Sequence, residues 1–122
     1  MHRILLAEDN EMNRDMLSRR LARYGYDVVV AENGEEAIAL TSSEEPDVVL
    51  MDLTMPVLDG WEATRRLRAD KATAEIPIIA LTAHALKEDR QRALEAGCTH
   101  FLTKPVDINQ LQATLRKVLS GD

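Results

Sequence analysis

Val48-Val49-Leu50-Met51-Asp52-Leu53-Thr54-Met55-Pro56 is a continuous apolar run that carries one carboxylate to its end and then breaks at a proline. β-branched and aliphatic residues ending at a turn signal read as a strand buried on both faces, the kind a parallel sheet requires. Ligands of such sheets bind in the crevice outside the carboxyl ends of the strands. Asp52 therefore stands at the working edge of the predicted sheet. For a lone aspartate the simpler reading is a hydrogen bond to the following turn. Further acidic residues at other strand ends shift that balance.

Working outward toward the N-terminus, Arg3 to Ala7 is a short apolar strand that runs into Glu8-Asp9-Asn10, placing more carboxylates at a strand's carboxyl end. Met12, Met16, Leu17, Leu21 and Tyr24 then recur at helical steps among arginines, and this amphipathic helix stops at Gly25. Met12 and Met16 read as helix packing, although methionine also suits adaptable docking surfaces. Tyr26 to Val30 is the second strand, Asn33-Gly34 a turn, and Glu35 to Thr41 a short helix closed by Ser42-Ser43 and Pro46. The central strand runs from Asp47 to Met51.

Beyond Pro56, the turn Leu58-Asp59-Gly60 leads into a third helix from Trp61 to Ala69. Pro77 to Thr82 is a fourth buried strand, again with a polar residue at its carboxyl end. Residues 86–96 are helical by propensity and stop at Gly97. Thr99 to Thr103 is a short fifth strand leading to Lys104-Pro105. Asp107 is the expected N-cap of a last helix whose stripe is Ile108, Leu111, Leu115, Val118 and Leu119. Strands alternating with helices mean right-handed crossovers and a parallel sheet covered on both faces, the doubly wound arrangement.

Composition sets bounds on function. The 122 residues fit one domain, and 45% apolar with 30% charged residues is an ordinary soluble balance. No apolar run approaches the ~18 residues of a membrane span, and Met1-His2-Arg3 passes straight into a strand without the longer apolar stretch of a secretory signal. The single cysteine, Cys98, agrees with a reducing compartment, and the expected location is the cytoplasm. A net charge of −6, from 15 basic and 21 acidic residues, argues against electrostatic attachment to nucleic acid. It favours a basic partner surface or a cation.

The predicted carboxyl edge collects Glu8 and Asp9, Asp52, Thr82 and Lys104 from four different strands. Three carboxylates in one crevice must protonate or hold a cation at neutral pH. An oxygen-rich site open to water suits Mg²⁺, which shares phosphate oxygens readily. A phosphoryl group on Asp52 would then be balanced by Mg²⁺ and the Lys104 ammonium, with a hydrogen bond from Thr82. Phosphoryl transfer needs positioning and charge stabilisation, and a carboxylate can be its nucleophile.

These residues resemble the response-regulator receiver domain of two-component signalling, over essentially the whole chain. The resemblance is carried by Glu8-Asp9, Asp52 with Met55-Pro56 and Asp59-Gly60, Thr82-Ala83, and Phe101-Leu102-Thr103-Lys104-Pro105. It implies one receiver domain over residues 1–122, an α/β fold with a doubly wound five-stranded parallel sheet, five helices and the flavodoxin-like strand order 2-1-3-4-5. It further implies that Asp52 accepts phosphate from the phosphohistidine of a histidine kinase or histidine phosphotransfer protein. Asp9, Asp52 and the backbone carbonyl of Thr54 would bind Mg²⁺ directly, Glu8 would help through water, and Thr82 and Lys104 would bind the phosphoryl group. Phe101 would turn inward on activation, altering a surface read by a downstream protein target. By the same analogy the phosphodonor docks around Asn13, Met16 and Leu17 and at Pro105-Val106, and Lys104-Pro105 is cis. Two departures stand out: Glu8 replaces the aspartate of many members, and Phe101 lacks the hydroxyl of those with tyrosine.

Other readings fit less well. A haloacid-dehalogenase-type phosphatase wants a second aspartate two residues after the first, where Thr54 stands. A flavin carrier wants a Ser/Thr/Gly-rich phosphate loop where Glu8-Asp9-Asn10 would repel phosphate. Trp61 reads as packing, and His2, His84, His100 and Cys98 share no metal-ligand spacing, with His84 placed to border the phosphoryl group. No output region follows the last helix within the 122 residues, which suits either a single-domain regulator or a receiver from a larger protein.

Overall fold

In the computed structural model, which describes residues 2–83 and 86–120, five parallel strands form one sheet in the order β2-β1-β3-β4-β5. The strands are β1 (Arg3–Ala7), β2 (Asp27–Ala31), β3 (Val48–Asp52), β4 (Ile78–Thr82) and β5 (His100–Thr103). The helices between and after them are α1 (Glu11–Arg23), α2 (Gly34–Glu44), α3 (Gly60–Ala69), α4 (Lys87–Ala96) and α5 (Ile108–Leu119). The expected doubly wound arrangement and strand order are both present.

Alternation along the strands divides the interior in two. Ile4, Leu6, Val48, Leu50, Ile79, Leu81 and Leu102 face one way and pack under α1 and α5 through Leu17, Leu21, Leu111 and Leu115. Leu5, Ala7, Val49, Met51, Ile78 and Ala80 face the other way, under α2, α3 and α4 through Ala37, Trp61, Leu67 and Ala93. Every residue of β3 and β4 is buried, as their unbroken apolar runs require. Each fully buried Leu or Ile contributes ~1.5–3 kcal/mol over its exposed state. The central strands are therefore the most firmly fixed platform on which a site could be built.

Helix starts follow side-chain capping. Asn10, Asn33, Asp59 and Asp107 each accept a backbone N–H from the first turn that follows them. Two readings need correction. α2 continues through Ser42 and Ser43 to Glu44, because the serines stay within the helix and Glu45, at φ 47°, makes the stop ahead of Pro46. Met12 and Met16 are 79% and 48% exposed, so they do not pack the core. Leu17 and Leu21 face the sheet, and each residue turns a helix by about 100°, which swings the Met12/Met16 stripe aside.

The loop after β3 is held tightly. Leu58 N–H donates to Pro56 O at 2.7 Å across Val57, whose φ is 69°, a three-residue γ-turn centred on a β-branched side chain. Gly60 N–H then donates to Leu53 O at 3.1 Å. A Cβ at Gly60 would collide with the Asp52 carbonyl and Leu53 Cα, so glycine allows the start of α3 to close against the end of β3. The Lys104-Pro105 peptide is cis, as the resemblance implied.

Candidate functional site

Parallel register brings the predicted residues to one edge. Ala7 pairs with Met51, so Glu8 and Asp52 are neighbours just beyond that pair. Asp52 pairs with Leu81, which puts Thr82 one residue further along the adjacent strand. Thr82 pairs with Thr103, and Lys104 N–H donates to Thr82 O at 2.7 Å. Glu8, Asp52 and Thr82 are buried and Asp9 is exposed.

Carboxylate oxygens of Glu8, Asp9 and Asp52 all lie within 4.8 Å of one another. The Lys104 ammonium bridges two of them, donating to Glu8 Oε1 at 2.7 Å and to Asp52 Oδ2 at 3.1 Å. Asp52 Oδ1 accepts from Thr54 N–H at 3.1 Å and, at 3.4 Å, from the Thr54 hydroxyl. Glu8 Oε2 accepts from Asn10 N–H at 3.2 Å. Loop and strand thus aim the acidic groups at one point.

Burial and like charge set their protonation. Burial and the adjacent Glu8 carboxylate push Asp52 up to about 7, with Lys104 acting in the opposite direction. Burial also raises Glu8, but its interactions with Asp52 and Lys104 outweigh that, and Glu8 is held below the usual carboxylate range. Burial disfavours the Lys104 ammonium, yet pairing with Glu8 and Asp52 leaves it raised. Below about pH 7 a proton on Asp52 relieves the crowding of the cluster, and a cation would replace it.

Phe101 lies half-buried on the α4 side of the sheet, with the Arg90 guanidinium 5.4 Å from its ring centre. Trp61 is a packing residue as read, 7% exposed, with Arg92 over its ring at 4.3 Å. Cys98 is buried and free, His2 is exposed and His100 half-buried. His84 lies outside the described residues. A groove of about 550 Å³ adjoins the carboxylates, lined by Asn13, Met16, Leu17, Lys104, Pro105 and Val106 among others. Sequence reasoning passed over Arg14, placed on the polar face of α1. It donates to the carbonyls of Glu8 and Asp9 at 2.9 and 3.4 Å, and no periodicity signals a contact that spans the loop before the helix.

Fold and crevice together define an α/β protein with a lysine-bridged acidic pocket on the carboxyl rim of its sheet. The family profile of the response regulator receiver domain matches residues 4–116, and the chain belongs to that family. Protein PilH of Pseudomonas aeruginosa is 41% identical over 121 residues, covering 99% of this chain and 100% of that protein. The polar-differentiation response regulator DivK of Brucella anthropi is 34% identical, over 98% of this chain and 96% of its own. Among solved structures, the receiver domain of the P. aeruginosa sensor histidine kinase PA1611, with a magnesium ion coordinated in its active-site cleft, superposes with a TM-score of 0.91 at 39% identity, covering 98% of each chain. Vibrio cholerae chemotaxis protein CheY4 superposes with a TM-score of 0.92 at 34% identity, over 98% of this chain and 99% of that one.

Proposed function

We propose that Asp52 accepts a phosphoryl group from the phosphohistidine of a histidine kinase or histidine phosphotransfer protein, and that this modification switches a surface read by a downstream protein. The observation that carries the reading is the triad Glu8, Asp9 and Asp52, its oxygens within 4.8 Å of one another and two of its members bridged by Lys104. All-oxygen donors partly open to water fit Mg²⁺. Its ligands would be Asp9, Asp52 and the backbone carbonyl of Thr54, with Glu8 assisting; the magnesium in the cleft of the similar PA1611 receiver supports this. When bound, the ion supplies positive charge against the phosphoryl oxygens and favours the ionised form of Asp52.

The chain's own groups account for the transfer. Asp52 Oδ attacks phosphorus, the P–N bond to the imidazole breaks, and the nitrogen keeps the electron pair. Lys104, already on Asp52, shifts its ammonium onto a phosphoryl oxygen, and Thr82 donates its hydroxyl to another. Water attack on the same phosphorus breaks its bond to the Asp52 oxygen, releases inorganic phosphate and returns the free carboxylate, so the protein catalyses its own phosphorylation and dephosphorylation rather than turning over a metabolite. Charge at Asp52 draws Thr82 inward and Phe101 turns with it, giving the two states different contacts with the ligand. The phosphodonor occupies the groove beside Asn13, Met16, Leu17 and Pro105-Val106. The partners are proteins of the cytoplasm; the net charge of −6 disfavours nucleic acid.

Acetyl phosphate with Mg²⁺ should add one phosphoryl mass, which hydroxylamine removes as it does from an acyl phosphate. Asp52→Asn and excess chelator should each abolish the label, while Lys104→Ala should retain part of it. Stable labelling of Asp52→Asn, or undiminished labelling in chelator, overturns the assignment.

A further inference from the structure

α1 carries four arginines, and one differs from the others in its surroundings. The Arg14 side chain is 14% exposed, against 73% for Arg19. Its Nη1 donates to Glu8 O at 2.9 Å and to Asp9 O at 3.4 Å, and its Nη2 lies 3.8 Å from Glu32 Oε1 in the loop between β2 and α2. Glu8 N–H meanwhile donates to Ala31 O at 3.0 Å, so the backbone of residue 8 is tied on both its N–H and its carbonyl. The Glu8 carboxylate has further anchors in Asn10 and Lys104. Among the described residues, no hydrogen bond fixes the Asp9 carboxylate, and its direction follows from the backbone that Arg14 holds.

We propose that Arg14 is a positioning residue for the cation site, fixing the peptide planes of Glu8 and Asp9 so that their carboxylates face Asp52. This inference rests on the Mg²⁺ reading above and adds a residue to it. Two physical effects of Arg14 oppose each other. Its positive charge, one turn into α1, repels an incoming cation, so charge alone makes its removal tighten Mg²⁺ binding. Its grip on the two carbonyls pre-forms the ligand geometry, so positioning makes its removal loosen binding. The sign of the change separates them.

The test is a Mg²⁺ titration of unphosphorylated protein followed by backbone amide shifts. Arg14→Gln should raise the dissociation constant about tenfold, the range for groups that orient metal ligands. Arg19→Gln removes the same charge from an exposed pair with Asp15 and should leave the constant within about twofold of wild type. Arg14→Lys keeps the charge but loses the fork that sets Nη1 on the two carbonyls while Nη2 faces Glu32, and should fall between. Labelling by acetyl phosphate should slow in Arg14→Gln at limiting Mg²⁺ and recover as Mg²⁺ saturates. Unchanged or tighter Mg²⁺ binding in a folded Arg14→Gln protein overturns the inference. If that variant does not fold, a wild-type constant in Arg14→Lys does so instead. Wild-type protein that binds no Mg²⁺ would overturn the cation site itself.

Discussion

The Asp52 carboxyl is buried against two other carboxylates, and its protonation bears on stability. Its carboxyl is pushed up to about 7 from an ordinary value of 3.8, so between those values the metal-free folded state holds a proton that the unfolded state has released. Stability of the metal-free protein therefore falls as pH rises across that window and levels off above it. Glu8, held below its ordinary value, contributes in the opposite sense only under that value, and Lys104 only in the alkaline range. Asp52→Asn removes the titration. In chelator the variant should be the more stable protein at pH 8, by on the order of 2 kcal/mol, with the gap closing toward pH 5. Urea melts at both pH values check this; a gap independent of pH would refute the cause given. Val57 supplies a second prediction. A β-branched residue at φ 69° is strained, whereas asparagine tolerates positive φ. Since Val57 is 74% exposed, Val57→Asn loses little packing and should gain about 1 kcal/mol, the low end of the cost of a strained residue. A lower melting temperature would show that the γ-turn owes its stability to the valine side chain.

Helices and loops divide into those whose sequence announces them and those decided by contacts across the fold. β3 and β4 were legible because a strand buried on both faces has to be apolar without alternation. α5 was legible from its cap at Asp107 and its stripe, of which Leu111 and Leu115 are buried. The end of α2 was not legible, since serine stops a helix only when its side chain competes for the backbone. There the Thr41 hydroxyl donates to Ala37 O at 2.6 Å, and the helix runs on. Nor could periodicity separate Met16 from Leu17 in α1, because both fall within a plausible apolar arc. The carboxyl-edge residues were legible because each ends a strand or stands within two residues of a strand's end. Arg14 was not, as its partners precede the helix that carries it. Met16, 48% exposed on the groove wall, bears on docking rather than packing. Met16→Glu should slow phosphotransfer from the cognate kinase on the order of tenfold, about 1.4 kcal/mol of docking energy, and leave labelling by acetyl phosphate unchanged. Equal loss from both donors would point to a damaged fold.

Across the whole molecule, the acidic cluster, Lys104 and Thr82 lie on the rim where the two interior compartments meet. Leu17, Val106 and Ile108, which border the groove beside the acidic cluster, belong to the compartment under α1 and α5. Phe101 belongs to the opposite one, with Ala93 of α4. In the proposed function, reception of the signal and its display draw on side chains from different cores, and the sheet stands between them as a partition. Distant sites with no shared partners add independently. A lineage can thus exchange the partner recognised on one side without renegotiating the packing on the other, so long as the rim is left intact.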